Sequence, residues 1–371
     1  MPRLIKVGSA ADELEWNVAL RQLQADDVLL LEPGFYELPQ GATLADVTVK
    51  GMGSGPEDTT ILGYLGVAEE SRFVTLENLC INTNTDNNSL YVPFNANTYL
   101  TLRNCIIKGA GTDTATVALN GKVTAEIYSS RIINGSLSVF SNADFRLEMN
   151  DSIIDYPSSE YCAVAIEGKG TAIINNSEIH GSTNTFSDTN IELDINNSIL
   201  DVMVLRGQVW LNMLNSRVIS EDDICVLIGD KCWNNILNCE IEGGFQLEKE
   251  SRTILQNTHV NRLIACDQAR LTATNSFFLT HADFQDQAQA DLTRISFNGD
   301  PEFEYFLALN KQAQVRGRNL ILNSNGSELS VQDDAVFNAS VYASDREQLE
   351  ILCDKVPNVK IYGIKWTVKK N

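Results

Sequence analysis

Two adjacent carboxylates, Asp222 and Asp223, are the residues of this 371-residue chain best suited by type and spacing to do chemistry. A pair of carboxyls serves as acid and base at a glycosidic bond, with a separation of about 6.5–9.5 Å when water attacks with inversion. Asn84-Thr85-Asp86 holds one further carboxylate, beside an amide and a hydroxyl. Glu221 beside the pair, and Asp283, Asp286 and Asp291 further on, carry the oxygen donors that Ca²⁺ prefers. Against this stands the simpler reading, a solvated acidic face that keeps the protein soluble, and it is the favoured one. No cofactor is therefore expected, and Ca²⁺ is the one ion these side chains would suit.

Other reactive residue types are sparse. The three histidines, His180, His259 and His281, are expected at the surface or in loops rather than as general bases. The eight cysteines (80, 105, 162, 225, 232, 239, 266 and 353) form no CxxC pair and no Cys/His metal spacing. Scattered buried thiols fit them better than a disulfide framework, and they point to a reducing, cytoplasmic setting. A secreted chain would require a leader already removed. Aromatic residues set among amides offer a different chemistry. Tyr91, Phe94, Tyr156, Tyr161 and Phe186 would give a sugar flat apolar faces beside hydrogen-bonding groups. The alternative is that these rings fold back onto their own loops.

What must position these residues is a repeat. The pattern apolar, any, Asn, small, any, apolar occurs at Leu76-Glu-Asn78-Leu-Cys-Ile81, Ile195-Asn-Asn197-Ser-Ile-Leu200 and Ile236-Leu-Asn238-Cys-Glu-Ile241, among others. Its key positions are 78, 104, 129, 151, 176, 197, 215, 238, 257, 275, 294 and 319, a mean spacing of about 22 residues, and all twelve positions three residues later are apolar. That period is too short for paired helices, and each copy alternates as a strand does. Asn, 35 of the 371 residues, tolerates the left-handed backbone of a sharp corner. Its amide both donates and accepts, so stacked copies can bond along a ladder. The small neighbour, Cys105 or Cys239 in two copies, reads as corner packing. A coil of three short strands, stacked about 4.8 Å on the next, is the structure these features predict.

The ends need covers. Residues 1–27 read as an N-terminal cap with a helix from about Ala10 to Gln24, capped by Ser9; 28–342 read as coils; 343–371 read as a C-terminal cap and tail, with a helix from Ser344 to about Lys355. One domain is expected. The stretch from Asp26 through Val28-Leu-Leu-Leu-Glu-Pro33-Gly34, then Val47-Thr-Val-Lys-Gly51 and Thr59-Thr-Ile-Leu-Gly63, resembles the start of right-handed parallel β-helix proteins of the pectin lyase-like superfamily. The Asn ladder is similar to the ladder of that family too. The resemblance implies an all-β, right-handed parallel β-helix, and a scaffold that carries several reactions in some members and none in others.

The reactions of that superfamily imply motifs that this chain lacks. Asp86 and Asp222 are 136 residues apart, about six coils or ~29 Å along the stack, so they cannot share one sugar bond. The Gly-His-Gly, Arg-Ile-Lys, Arg-x-Pro-x-x-Arg and Asp-Pro-His signatures are missing, and no Asp stack at one coil position stands out. Side chains two residues past the ladder (Ile106, Ile153, Ile199, Phe277 and Ile321) are expected to point outward, as an apolar stripe that loops cover. With 49 acidic and 28 basic residues, a net charge of −21, the surface excludes a phosphate-backbone binder. No apolar run is long enough to span a bilayer. The expectation is a non-catalytic binding scaffold with a polysaccharide or protein partner, and no nucleic acid or membrane. A lyase or hydrolase acting on an acidic polysaccharide, with Asp222 and Asp223 as its centre, is the alternative.

Overall fold

A computed structural model describes residues 2–8, 13–39, 41–83, 85–158, 160–220 and 222–369. Ser9, Ala10, Asn84 and Glu221 lie outside the described residues. The chain divides into two compact units, residues 1–193 and 194–371, and each is a parallel β-helix.

One coil of the first unit shows the design. A first-sheet strand, Asn97–Arg103, is followed by the corner residue Asn104. A short second-sheet strand, Ile106–Lys108, comes next, and a third, Val117–Leu119, completes the coil. The following coil lies in parallel register, with Asn97 opposite Lys122 and Arg103 opposite Tyr128. Burial alternates along Asn97–Arg103, so Thr98, Leu100 and Leu102 point inward. The twelve apolar residues three past the key positions all point inward as well. Ile107, Leu200, Val260 and Phe278, for example, are fully buried, each contributing about 1.5–3 kcal/mol by leaving water.

All twelve key positions adopt left-handed φ, between 47° and 54°. That conformation costs an ordinary L-residue roughly 1–2 kcal/mol, which is why Asn fills nine of them. The amides do form a ladder: Asn104 donates to Asn78 at 2.7 Å, and Asn257, Asn238 and Asn215 each donate to the preceding Asn at 3.2–3.3 Å. This ladder is exposed rather than buried. The buried ladder is the small residue beside it. Ser130, Ser152, Ser216 and Ser276 each accept the N–H of the equivalent residue one coil earlier (Cys105, Ser130, Ser198 and Thr258) at 3.0–3.1 Å. Each also donates to the carbonyl two residues back in its own chain. Where Cys105 takes the slot, burial pushes its thiol up to about 12.

The second unit winds more tightly. Its key positions 238, 257, 275 and 294 are 18 or 19 residues apart. The second and third strands fuse into Glu240–Leu247, His259–Ala265 and Phe277–Phe284. A register shift marks the corner between them. Phe278, Phe297 and Phe306 fill this part of the core, their rings 5.3 and 6.4 Å apart in sequence.

The ends differ from expectation. At the N-terminus the helix is only Trp16–Gln22, preceded by Glu15 without a side-chain cap. A strand not foreseen, Leu4–Val7, pairs with Val28–Leu31. The C-terminal helix does not form. Val336–Ser344 and Gln348–Cys353 are strands, and further coil strands, Val359–Tyr362 and Lys365–Lys369, follow. Local propensity loses here to pairing: Leu329 and Val331 offer a parallel edge to Ile351 and Cys353. Leu349 and Ile351 are buried by the alternation of a strand. The expected stripe is mostly covered, with Ile106 buried and Ile153, Ile199 and Ile321 half-buried, whereas Phe277 stays exposed and packs edge-on to His259.

Candidate functional site

Asp222 and Asp223 stand at the connection from the second to the third sheet, just before Ile224–Ile228. They line a cleft of about 320 Å³ in the second unit, together with Glu242, Asn261, Arg262, Thr280, Asp300, Glu302 and Phe303. Three features of the coil build it. The bulged corners at Ile241/Gly244 and Val260/Arg262 swing Arg262 toward the connection above. The longer loop after Asn298 supplies Asp300, Glu302 and Phe303. Gly244 donates its N–H to the Asp223 carbonyl at 3.1 Å, which holds the pair against the next coil.

Among the described residues that line this cleft, Arg262 is the one cation. Its guanidinium reaches the Asp223 carboxylate at 3.0 Å and the Asp223 carbonyl at 3.2 Å. Its side chain is 19% exposed, while that of Asp223 is 86% exposed. The buried Nε of Arg262 has no hydrogen-bond partner. Glu242 is engaged by Arg217, which also bonds Glu240 at 2.9 Å. His281, next to Thr280, stacks on Phe303 with ring centres 5.5 Å apart and bonds the Tyr305 carbonyl at 2.5 Å through Nδ1. The cleft thus has an excess of carboxylates and one guanidinium already committed to one of them.

The other sequence candidates are dispersed. Tyr91 lies on the third sheet and packs against Tyr64 at 6.1 Å. Phe94 is exposed in the turn that follows it. Tyr156 and Tyr161 belong to the connection between the second and third sheets. The Tyr156 ring is buried and its hydroxyl donates to the Thr112 carbonyl at 3.0 Å, so it ties two connections together. Tyr91 and Phe94 belong to the coil of Asn78, and Tyr156 and Tyr161 to that of Asp151, three coils on. Asp283, Asp286 and Asp291 do not stack either. They run around a single coil, on the third sheet, in the turn and on the first sheet.

Aspartates do stack, at a different point of the coil. The turn from the third to the first sheet carries a second left-handed residue in six successive coils of this unit: Asp230, Lys249, Asp267, Asp286, Lys311 and Asp333, at φ 51–58°. Their carboxylates accept backbone N–H groups one coil earlier, Gly207 to Asp230 at 2.9 Å, Lys249 to Asp267 at 3.0 Å and Lys311 to Asp333 at 3.0 Å. Lys249 and Lys311 neutralise Asp230 and Asp286. The Lys311 ammonium is the main cause that holds the Asp286 carboxyl below its ordinary value. At Asp230, burial opposes the same lowering, and Lys249 with the Gly207 N–H outweighs it. In sequence the position is shared by Asp and Lys in the order Asp, Lys, Asp, Asp, Lys, Asp at intervals of 18–25 residues, so no single residue type marks it. These carboxylates are structural. Among the described residues no three His, Cys, Asp or Glu side chains group to hold a metal ion.

All eight cysteines are free thiols. No described helix is long and apolar enough to cross a membrane. No family model and no curated protein matches the chain. Among solved structures it is similar to the A-module of mannuronan C-5 epimerase AlgE6 from Azotobacter vinelandii, at 13% identity and a TM-score of 0.33, over 92% of this chain and 91% of that one. At that score no residue correspondence transfers, and the parallel β-helix is established by the register of the coils themselves.

Proposed function

We propose that the chain is a non-catalytic β-helix scaffold that binds a glycan or protein partner on its outer faces. The observation that supports this reading is the state of Asp223. Its carboxylate is paired with Arg262 and stands almost fully in water. Acid–base work at a glycosidic bond asks for carboxyls tuned by burial and left unpaired to face the substrate. The second reading, a lyase or hydrolase, draws on the convergence of Asp222, Asp223, Glu242 and Arg262 on one cleft. Turnover separates the two. The scaffold releases no product from polygalacturonate, pectin or alginate, with or without Ca²⁺. Cleavage by the wild type that disappears in the folded double variant Asp222→Asn, Asp223→Asn would overturn it in favour of the enzyme.

A further inference from the structure

The outer face of the first sheet in the second unit carries a charge opposite to that of the chain. Its strands are Gln208–Leu214, Trp233–Leu237, Arg252–Gln256, Arg270–Thr274 and Gln289–Thr293, then residues 314–318 and 336–340, and Val359–Tyr362. The charged residues on these segments are Arg252, Arg270, Arg316, Arg318 and Lys360 against Asp291 alone. Asp194, the outward residue of Asn190–Asn196 with which the unit begins, accepts a bond from Asn212 at 2.9 Å, so five cations and two anions share this face of a chain whose net charge is −21. Among the described residues, six of the eleven arginines elsewhere, Arg3, Arg72, Arg146, Arg206, Arg217 and Arg262, sit in ion pairs, and Arg21, Arg103, Arg131, Arg294 and Arg346 do not. Among the described residues, Arg252, Arg270, Arg316 and Arg318 enter none.

Register places these groups in one row. Trp210 lies opposite Trp233, Trp233 opposite Arg252, and Arg252 opposite Arg270. Like charges directly opposite on neighbouring strands are destabilising, so the Arg252–Arg270 step holds a cost that a bound anion relieves. Trp210 and Trp233 are 41% and 52% exposed, and Ile254 in the adjoining row is 52% exposed. Arg252 lies over the Trp233 ring, 5.4 Å from its centre. The row repeats at the strand spacing of about 4.8 Å. A ligand that matches it is periodic at a similar step, as a linear polymer is and a folded protein surface is not. Planar guanidinium forks suit carboxylates, and indole faces suit sugar rings. Single-stranded nucleic acid is a polyanion as well, and an oligo-dT control separates it from a carboxylated glycan.

We propose that this Trp210–Trp233–Arg252–Arg270 row, with Arg316 (opposite Asp291) and Arg318 two strands further on, binds a linear carboxylated polysaccharide lying along the stack of coils. The proposal deepens the scaffold reading and rests on it only for the absence of cleavage. The test is calorimetric titration of the full chain with polygalacturonate, polymannuronate and hyaluronate, with dextran as the neutral control and oligo-dT as the phosphate control. Wild type binds at least one of the three acidic glycans, binds it more weakly as salt rises, and ignores dextran. Arg252→Gln with Arg270→Gln, and separately Trp210→Ala with Trp233→Ala, weaken binding tenfold or more while circular dichroism stays unchanged. Tyr99→Ala, on the corresponding face of the first unit, leaves it intact. Binding to none of the acidic glycans, equal binding to dextran, tighter binding to oligo-dT, or unaltered affinity in both strip variants overturns the proposal. Product release is followed in the same samples. Cleavage with binding still lost in the strip variants removes the scaffold reading and keeps the strip.

Discussion

Three substitutions at one corner separate the physical roles of the two ladders. Asn215 sits at φ 50° and its amide makes two exposed bonds, to Asn197 at 3.3 Å and from Asn238 at 3.2 Å. Asn215→Gly keeps the left-handed backbone without penalty and loses only those exposed bonds, so it should cost about 0.5–1 kcal/mol. Asn215→Ala adds the strain of a Cβ in left-handed space, roughly 1–2 kcal/mol more. Ser216→Ala acts inside. The Ser216 hydroxyl, buried, accepts the Ser198 N–H at 3.1 Å and donates to the Leu214 carbonyl at 2.8 Å. Its removal strands a buried donor, at about 1–3 kcal/mol. The assay is thermal and urea unfolding followed by far-ultraviolet dichroism. Each kcal/mol moves Tm by about 2–4 °C for a cooperative unit of this size. The expected order of stability is wild type, Asn215→Gly, then the two alanine variants. Equal losses for Asn215→Gly and Asn215→Ala would show that the amide bonds, not the backbone angle, select Asn. A neutral Ser216→Ala would remove the buried ladder from the account.

Two further outcomes follow from the carboxylates and the thiols. Asp230 and Asp286 hold lowered carboxyl values in the folded chain, so the stability they add is present above the unfolded value of about 3.9 and is lost as pH falls through the lower folded values. The urea midpoint of wild type should therefore drop more steeply on acidification than that of Asp286→Asn, and parallel acid limbs would refute the assignment. Burial pushes the Cys105 and Cys232 thiols up to about 12, so both should resist a thiol reagent at pH 8 in the native protein, while all eight cysteines react in denaturant without reductant. A disulfide-bonded pair in protein purified with a blocking agent would contradict this.

The sequence by itself determined the coil, its period, its left-handed corner and its inward face. Each leaves a local trace: a positive φ selects Asn, and a strand packed on one side alternates. Ile81, Ile107 and Phe278 were legible as core for that reason. The C-terminal segment was misread because residues 344–355 carry good helix formers, and only the open edge of the preceding coil makes them strands. Asp222 and Asp223 were legible as a pair, but not their partner. Arg262 is 39 residues from Asp223, two coils on, and a bulge that no residue type announces turns it there. The same holds for the basic strip. Arg252, Arg270 and Arg316 look like ordinary scattered cations along the chain. Parallel stacking converts a sequence spacing of one coil into a neighbour distance of one strand, and that register alone collects them on one face beside Trp210 and Trp233.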